Sequence, residues 1–312
     1  MKTGWIIVWS IIGIVLVFVL VIALLVALIP SGTSSASSPS FSFGKASVAK
    51  IYIQGEIVGD DGGTLFAEQL ASSTQIREQL KSAAEDPSIS AILLEINSPG
   101  GSAVASREIA DVVAQLEKPT VAVIREVGAS GGYWIASATD YVVADELSIT
   151  GSIGVLASSL NLAGLLDDYN VTYEQLNGGK YKDIGTPLRK MTDEERILLE
   201  SKIQIIHDVF IREVAANREL SFAEVNASAT GIFYLGSEAK DLGLVDELGN
   251  EKTAVTYLAS VLGVSDEDIS FIEYRVQPSF FDLLYGAISN FGFQVGKGIS
   301  SGLSEAGVSV RV

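Results

Sequence analysis

Short runs of apolar, often β-branched residues alternate with helix-like segments through the middle of the chain. Residues 48–53, 89–96 and 120–124 predict strands, and residues 65–84 and 103–116 predict the helices between them. The run at 89–96 is apolar almost throughout, which is typical of a parallel strand covered on both faces. This order of strand, helix, strand, helix and strand indicates an α/β domain built on a largely parallel sheet.

The second half of the chain continues the mixed pattern. Thr192 is followed by Asp193, Glu194 and Glu195, which gives the capping hydroxyl and acidic first turn of a helix N-terminus. A long helix is therefore predicted from there. Strands are predicted at residues 140–144, 171–176 and 269–274, and helices at 253–262 and within 234–249.

Two glycine-rich loops, at residues 97–102 and 127–132, each follow a predicted strand and precede a predicted helix. In an α/β sheet both loops open at the carboxyl edge of the strands, where functional sites gather. Gly100 and Gly101 leave backbone N–H groups free to face a ligand, and an oxyanion hole needs donors of this kind. A simple turn before a helix is the alternative, which Pro99 and the glycines also favour.

Ser130 lies in the second loop, on a tight turn between a predicted strand and a predicted helix. The surrounding Gly128, Gly131 and Gly132 allow unusual backbone angles and the close approach of another chain segment. Such a turn holds a nucleophilic hydroxyl out of the backbone, near the positive end of a helix dipole. Because G-x-S-x-G sequences also arise by chance, a glycine-rich connector with an incidental serine is the alternative.

A serine nucleophile needs a base, and the composition restricts the choice. The chain has one histidine and no cysteine, which excludes thiol nucleophiles, disulfides, cysteine-based zinc sites and a zincin site. His207 lies within a helical pattern, where a surface or boundary position is the more ordinary role. Lysine is the remaining base of suitable reach if burial lowers its pKa. Lys180 and Lys182 are the candidates, and no metal or cofactor is predicted.

Residues 5–29 contain no charged side chain and are dominated by Val, Ile and Leu. At about 1.5 Å per residue, this run is long enough to cross a hydrocarbon core of about 30 Å as a helix. A cleaved signal peptide has a shorter apolar region and a small-residue cleavage site, so an uncleaved transmembrane anchor is favoured. Lys2 is the nearby positive side chain, which predicts a cytoplasmic N-terminus in the cell membrane and an extracytoplasmic remainder.

The predicted anchor is followed by a Ser-rich linker at residues 30–46, which is expected to be flexible. The globular domain is predicted at residues 47–275, and residues 276–312 form a tail without assigned structure. The formal net charge is −17. This balance argues against nucleic acid as a partner, since a phosphate-binding surface is basic.

Five short motifs occur in the order in which one known family carries them: NSPGG at 97–101, ASGGY at 129–133, TGSIG at 150–154, GKYKD at 179–183 and LVDELG at 244–249. Over residues 47–262 the sequence resembles the short, single-domain form of the signal peptide peptidase A family, also called protease IV. The resemblance implies a ClpP/crotonase-like α/β fold and a serine endopeptidase that uses a Ser-Lys dyad.

The resemblance also implies roles for individual residues. Ser130 is similar to the family nucleophile, and Lys182 matches the general base. Ser152 matches a serine that helps to hold that lysine, and Gly101 resembles an oxyanion donor, alongside the N–H of Ser130. Family members are membrane-bound homo-oligomers, ring- or dome-like, in which neighbouring subunits can complete the site. They degrade signal peptides that have been released from preproteins.

Two other functions remain as alternatives. The same fold carries crotonase-type acyl-CoA chemistry, but no basic patch for a CoA phosphate stands out near the loops. A non-catalytic membrane scaffold of the same fold is the second alternative, which the presence of both Ser130 and Lys182 in matching motifs opposes. The sequence therefore predicts a membrane-anchored peptidase that acts on apolar, extended peptides.

Overall fold

The computed structural model describes residues 45–60 and 70–274. The predicted anchor at 5–29, nearly all of the predicted linker and the tail at 276–312 lie outside these ranges. Within the described ranges, no helix combines the length and the apolar character that a membrane span requires.

The predicted alternation of strands and helices is confirmed in the described residues. The strands are β1 (Ala46–Gln54), β2 (Ile57–Val58), β3 (Ala71–Ser72), β4 (Ile89–Ser98), β5 (Thr120–Ala129), β6 (Tyr141–Ala144), β7 (Ile149–Gly151), β8 (Phe233–Leu235), β9 (Glu247–Leu248) and β10 (Ile269–Tyr274). The helices are α1 (Ser73–Glu85), α2 (Ala103–Val113), α3 (Gly131–Ser137), α4 (Ala163–Asp168), α5 (Asp193–Asn217), α6 (Phe222–Ser228), α7 (Gly236–Asp241) and α8 (Glu251–Leu262).

The main sheet is parallel, with strands in the order β10, β1, β4, β5, β6 and β9. β7 pairs in parallel with the last residues of β5, and β8 pairs with β7 in the antiparallel sense. β2 and β3 form a separate parallel pair. Because β4 and β5 are neighbours and run in the same direction, the glycine-rich loops that follow them meet at one edge of the sheet.

The central strand β4 is apolar on both faces because both faces are covered. Ile92 and Leu94 belong to the larger core, which also contains residues of α1, α2, α3 and α5. Ala91 and Leu93 belong to the smaller core under α8. All four side chains are fully buried, as expected of a parallel strand between two helical layers.

Capping residues set the start of two helices. At α5, the hydroxyl of Thr192 accepts from the N–H of Glu195 (3.2 Å), and the Glu195 carboxylate accepts from the N–H of Thr192 (2.9 Å), which confirms the predicted helix start. The helix predicted at 65–84 begins later, at Ser73, because Ser72 lies in β3 and caps the helix with its side chain. Residues 61–69 of that prediction lie outside the described ranges.

The strand predicted at 171–176 is wrong. These residues follow α4 without forming a strand, and no described strand pairs with them. Leu176 is 98% exposed. The segment carries strand-forming side chains, but no described strand lies beside it and its side chains are mostly exposed. Strand propensity depends on packing against such neighbours.

Candidate active site

Ser130 occupies the turn between β5 and α3, as the sequence predicted. Its φ of 52° and ψ of −120° lie outside the regions that residues with a side chain normally adopt. The N–H of Ser130 donates to the carbonyl of Gly151 (2.8 Å), and its own carbonyl accepts from the N–H of Trp134 (2.9 Å). These bonds fix a strained serine between a strand and a helix, which is the arrangement of a nucleophile elbow.

The two glycine-rich loops touch each other, and the contact requires glycine on both sides. Gly100 has a φ of 98°, and a Cβ on it would lie 2.7 Å from the nitrogen of Gly131. A Cβ on Gly131 would lie 2.1 Å from the hydroxyl oxygen of Ser106. A side chain at Gly100 would therefore force the loop after β4 away from Ser130, and one at Gly131 would collide with Ser106 of α2.

The N–H of Gly101 is available as an oxyanion donor. Its neighbours Gly100 and Ser102 both bond to Ile57, through the Gly100 carbonyl (2.9 Å) and the Ser102 N–H (2.8 Å). In such a parallel bridge the residue between them directs its own N–H the other way. Within the described residues, the N–H of Gly101 has no acceptor, which is what a donor of an oxyanion hole requires.

From the sequence, the N–H of Ser130 is expected to be the second oxyanion donor, and this expectation has to be corrected. That group is already bonded to the carbonyl of Gly151, because β5 continues to Ala129 and β7 pairs beside it. The next N–H along the chain, that of Gly131, opens α3 and has no acceptor among the described residues. Gly101 and Gly131 are therefore the pair of free donors next to the Ser130 side chain. The position of Gly131 directly after Ser130 was the signal that could have identified it from the sequence.

Ser152, which the resemblance relates to the general base, lines the same cavity as Ser130. It follows β7 directly, has a φ of 50° and bonds through its N–H to the carbonyl of Ile232 (3.0 Å). Its hydroxyl donates to the carbonyl of Gly231 (3.2 Å). The oxygen lone pairs of the hydroxyl remain able to accept a hydrogen bond from an amine.

A cavity of about 660 Å³ joins Ser130, Ser152 and Gly101. Its far wall is apolar and includes Trp134 and Phe210, whose rings stack with centroids 4.2 Å apart. The other apolar lining residues are Ala103, Val155, Leu156, Ala157, Ile203 and Ile206. A cavity with this lining is suited to an apolar group placed next to the Ser130 side chain. The sequence interpretation missed the Trp134–Phe210 wall, because its two halves are far apart in the chain.

The two candidate lysines differ in their surroundings. Lys180 donates to the Glu194 carboxylate (2.7 Å), and this bond raises the pKa of Lys180, which disfavours it as a base. Lys182 is exposed and has no side-chain partner within the described residues. It is also absent from the lining of the cavity that contains Ser130. The described chain thus brings together Ser130, Ser152 and Gly101, but not Lys182.

His207 does not join the site either. It lies on α5, outside the cavity lining, and its Nε2 is buried without a hydrogen-bond partner in the described residues. The sequence assigned it to a surface or boundary position rather than to catalysis, and a half-buried position agrees with that.

Comparison with known proteins identifies the family. Residues 113–265 match peptidase family S49, and residues 66–145 match the Clp protease family. "Putative protease MJ0651" of Methanocaldococcus jannaschii is 36% identical, over 82% of this chain and 83% of its own length. The chain belongs to peptidase family S49.

Two further relatives agree with this assignment. "Putative signal peptide peptidase SppA" of Enterococcus faecium is 33% identical, over 73% of this chain and 67% of that protein. "Protease 4" of Haemophilus influenzae is 33% identical, over 67% of this chain and 34% of that protein. The S49 chain is therefore a serine peptidase with a Clp protease-like α/β domain, and neither the acyl-CoA enzyme nor the non-catalytic scaffold is favoured.

Proposed function

We propose that this S49 peptidase is a membrane-anchored endopeptidase with a Ser-Lys dyad that degrades released signal peptides and other apolar, extended peptides. The observation that carries the proposal is the strained Ser130, which faces an apolar cavity between the free N–H groups of Gly101 and Gly131. The name of the Enterococcus faecium relative supports signal peptides as substrates. The uncharged run at 5–29 supports attachment to the membrane.

The reaction begins when neutral Lys182 takes the proton from Ser130, whose Oγ attacks the scissile carbonyl. The N–H groups of Gly101 and Gly131 stabilise the oxyanion as charge develops, and each such donor contributes about 2.7–4 kcal/mol. The lysine ammonium then protonates the leaving amine. Water, activated by the same amine, finally releases the acyl group from Ser130.

The base reaches Ser130 from a neighbouring copy of the chain in this proposal. Lys182 is exposed and outside the cavity of its own chain. The segment that carries it exposes several large apolar side chains, and exposed apolar surface of this kind marks contacts with another molecule when it is contiguous. These side chains are Leu156, Leu160, Leu165, Tyr169, Val171 and Leu176, each at least half exposed. An assembly that buries these side chains would desolvate the lysine at the same time, and desolvation favours its neutral form.

The anchor at 5–29 and the linker at 30–46 would keep the site close to the extracytoplasmic face of the membrane. Peptides that leave the lipid are apolar and lose the helical hydrogen bonds that the bilayer enforced. The apolar wall formed by Trp134 and Phe210 suits such substrates.

The proposal is tested with the full chain in detergent and a synthetic signal peptide, with cleavage products identified by mass spectrometry. We expect cuts next to apolar residues and no cleavage by the Ser130→Ala variant. A matched peptide with the apolar core replaced by polar residues should be cut at least about 10-fold more slowly, because each methylene group missing from an apolar cavity costs about 1–3 kcal/mol. Equal cleavage of both peptides would contradict the substrate class.

The hydroxyl of Ser152 is expected to hold the amine of Lys182 in the dyad. Ser152→Ala should lower kcat about 10- to 1000-fold with little change in KM, because a misplaced base acts in the transition state rather than in binding. Ser159→Ala, at an exposed serine of the following segment, is the matched control. Steady-state kinetics with a short apolar peptide measure the effect, and an unaltered kcat in Ser152→Ala would mean that Ser152 is only part of a turn.

A further inference from the structure

The turn that carries Lys182 is not held by burial or by regular structure. Residues 171–192 connect α4 to α5 without a helix or a strand. The side chains from Leu176 to Lys182 are exposed, and those that follow at 183–186 are only partly buried. A general base has to stay within hydrogen-bond reach of the proton that it takes. Another interaction must therefore fix this turn.

Arg189 connects the turn to a helix through two carboxylates. Its Nε and Nη2 donate to Asp183 at 2.8 and 3.0 Å, and its Nη1 and Nη2 donate to Glu195 at 2.8 and 2.6 Å. The side chains of Asp183 and Glu195 are only 9% and 6% exposed, whereas the residues from Leu176 to Lys182 are exposed. Two fork-shaped contacts on one guanidinium define both distance and orientation, which a lysine at this position could not do.

The helix end of this connection is itself fixed. Glu195 belongs to the capping box of α5 with Thr192. Further along the same helix, Phe210 and Ile211 are buried in the larger core. Packing of α5 in the core therefore fixes the position of its first turn. Arg189 restrains Asp183 relative to that turn through its contacts with both carboxylates.

Both chain neighbours of Lys182 are tied to this helix turn. Asp183 is tied through Arg189, and the hydroxyl of Tyr181 donates to the Glu194 carboxylate. The amine of Lys182 lies between these two attachments and has no partner in the described part of the chain. The arrangement fixes the backbone on either side of the lysine and leaves its amine free for another group.

We infer that Arg189 is a positioning residue for the general base, and that Asp183, Arg189 and Glu195 form a clamp that holds the Lys182 turn against α5. The inference rests on the proposed role of Lys182. Arg189 is not among the residues that line the Ser130 cavity, so it acts through the position of the lysine and not on the peptide.

The clamp is ionised throughout the range in which a lysine base works. The contact with Arg189 lowers the pKa of Glu195 to about 2 and also lowers the pKa of Asp183. A carboxylate with a depressed pKa keeps its ion pair above its ordinary pKa and loses it as the pH falls through the depressed value. Changes of activity above about pH 5 therefore report on the lysine and not on loss of the clamp.

The test compares Arg189→Ala, Arg189→Lys and wild type in the full chain, with kcat and KM for a short apolar peptide measured across pH. Arg189→Ala is expected to lower kcat about 10- to 100-fold with KM unchanged within about twofold. Its rate profile should shift to higher pH, because a loose amine is better solvated and solvation favours the charged form. Arg189→Lys should recover only part of the lost rate.

Lys190→Ala is the matched control, because it removes the neighbouring exposed cation without touching either carboxylate. It should behave as wild type. If thermal unfolding shows that Arg189→Ala is unfolded, Asp183→Asn decides the matter, since it removes the charge and keeps the shape. If the folded clamp variants keep the wild-type kcat and pH profile while Lys182→Ala is inactive, the positioning role of Arg189 is wrong and the proposed function stands. A fully active Lys182→Ala would instead overturn the proposed function on which it rests.

Discussion

Lys182→Ala is expected to lower kcat by about 10²- to 10⁴-fold while leaving the fold and the affinity for peptide nearly unchanged. The amine is exposed and free of partners in the described chain, so its removal opens no cavity and breaks no structural hydrogen bond. The reduction should appear in kcat because the lysine acts on the Ser130 proton in the transition state. Steady-state kinetics, with thermal unfolding as the check on folding, measure it.

Two matched variants separate Lys182 from its competitors. Lys180→Ala removes a lysine two residues away that is paired with Glu194, and His207→Ala removes the only histidine of the chain. Both should keep most of the activity. For the wild type, kcat/KM should rise with pH, since the neutral amine is the active form. An inactive His207→Ala beside an active Lys182→Ala would replace the dyad by a Ser-His pair.

Mixing two inactive variants is expected to restore activity. Ser130→Ala subunits keep Lys182, and Lys182→Ala subunits keep Ser130, so a mixed assembly contains sites with both groups if each site is shared between copies. Each site needs Ser130 from one copy and Lys182 from its neighbour. At a 1:1 ratio of randomly assembled subunits, each residue is present in half of the cases, so about one quarter of the sites should be complete. The rise from near zero is the largest effect that the proposal predicts.

The mixture has to be unfolded or dissociated and reassembled before assay, with unmixed variants treated in the same way. Activity that stays at the level of the unmixed variants, while size measurements show that mixed assemblies have formed, would mean that Ser130 and Lys182 come from one chain. In that case the segment around Lys182 has to fold back over its own cavity, and the exposed apolar side chains need another explanation.

The sequence was sufficient for the parts of the fold that local chemistry determines. The apolar residues of β4 predicted a strand covered on both faces, and Thr192 with Glu195 predicted the start of α5. The glycines around Ser130 predicted a tight turn between a strand and a helix, which the structure confirms. In each case the residue type itself restricts the backbone conformation or the degree of burial, so the local sequence is enough to predict the structure.

The remaining features depend on partners that are distant in the sequence. The N–H of Ser130 is unavailable as an oxyanion donor because β7 pairs beside β5, and no pattern near Ser130 records that pairing. Residues 171–176 carry strand-forming side chains but have no strand beside them. The clamp on Arg189 depends on the side-chain rotamers of three residues. For Lys182, the sequence motif suggested a role but could not give its position relative to Ser130.

Labelling with a serine-reactive phosphonate probe tests the central claim, that Ser130 is the nucleophile of a peptidase. We expect a single modified residue, Ser130, in the full chain, found by mass spectrometry of the digested protein, and a labelling rate that falls in Lys182→Ala. The serines of the same cavity region, Ser102 and Ser152, serve as internal controls and should stay unmodified. Modification of another serine, or no modification of a folded and peptide-cleaving protein, would contradict the account.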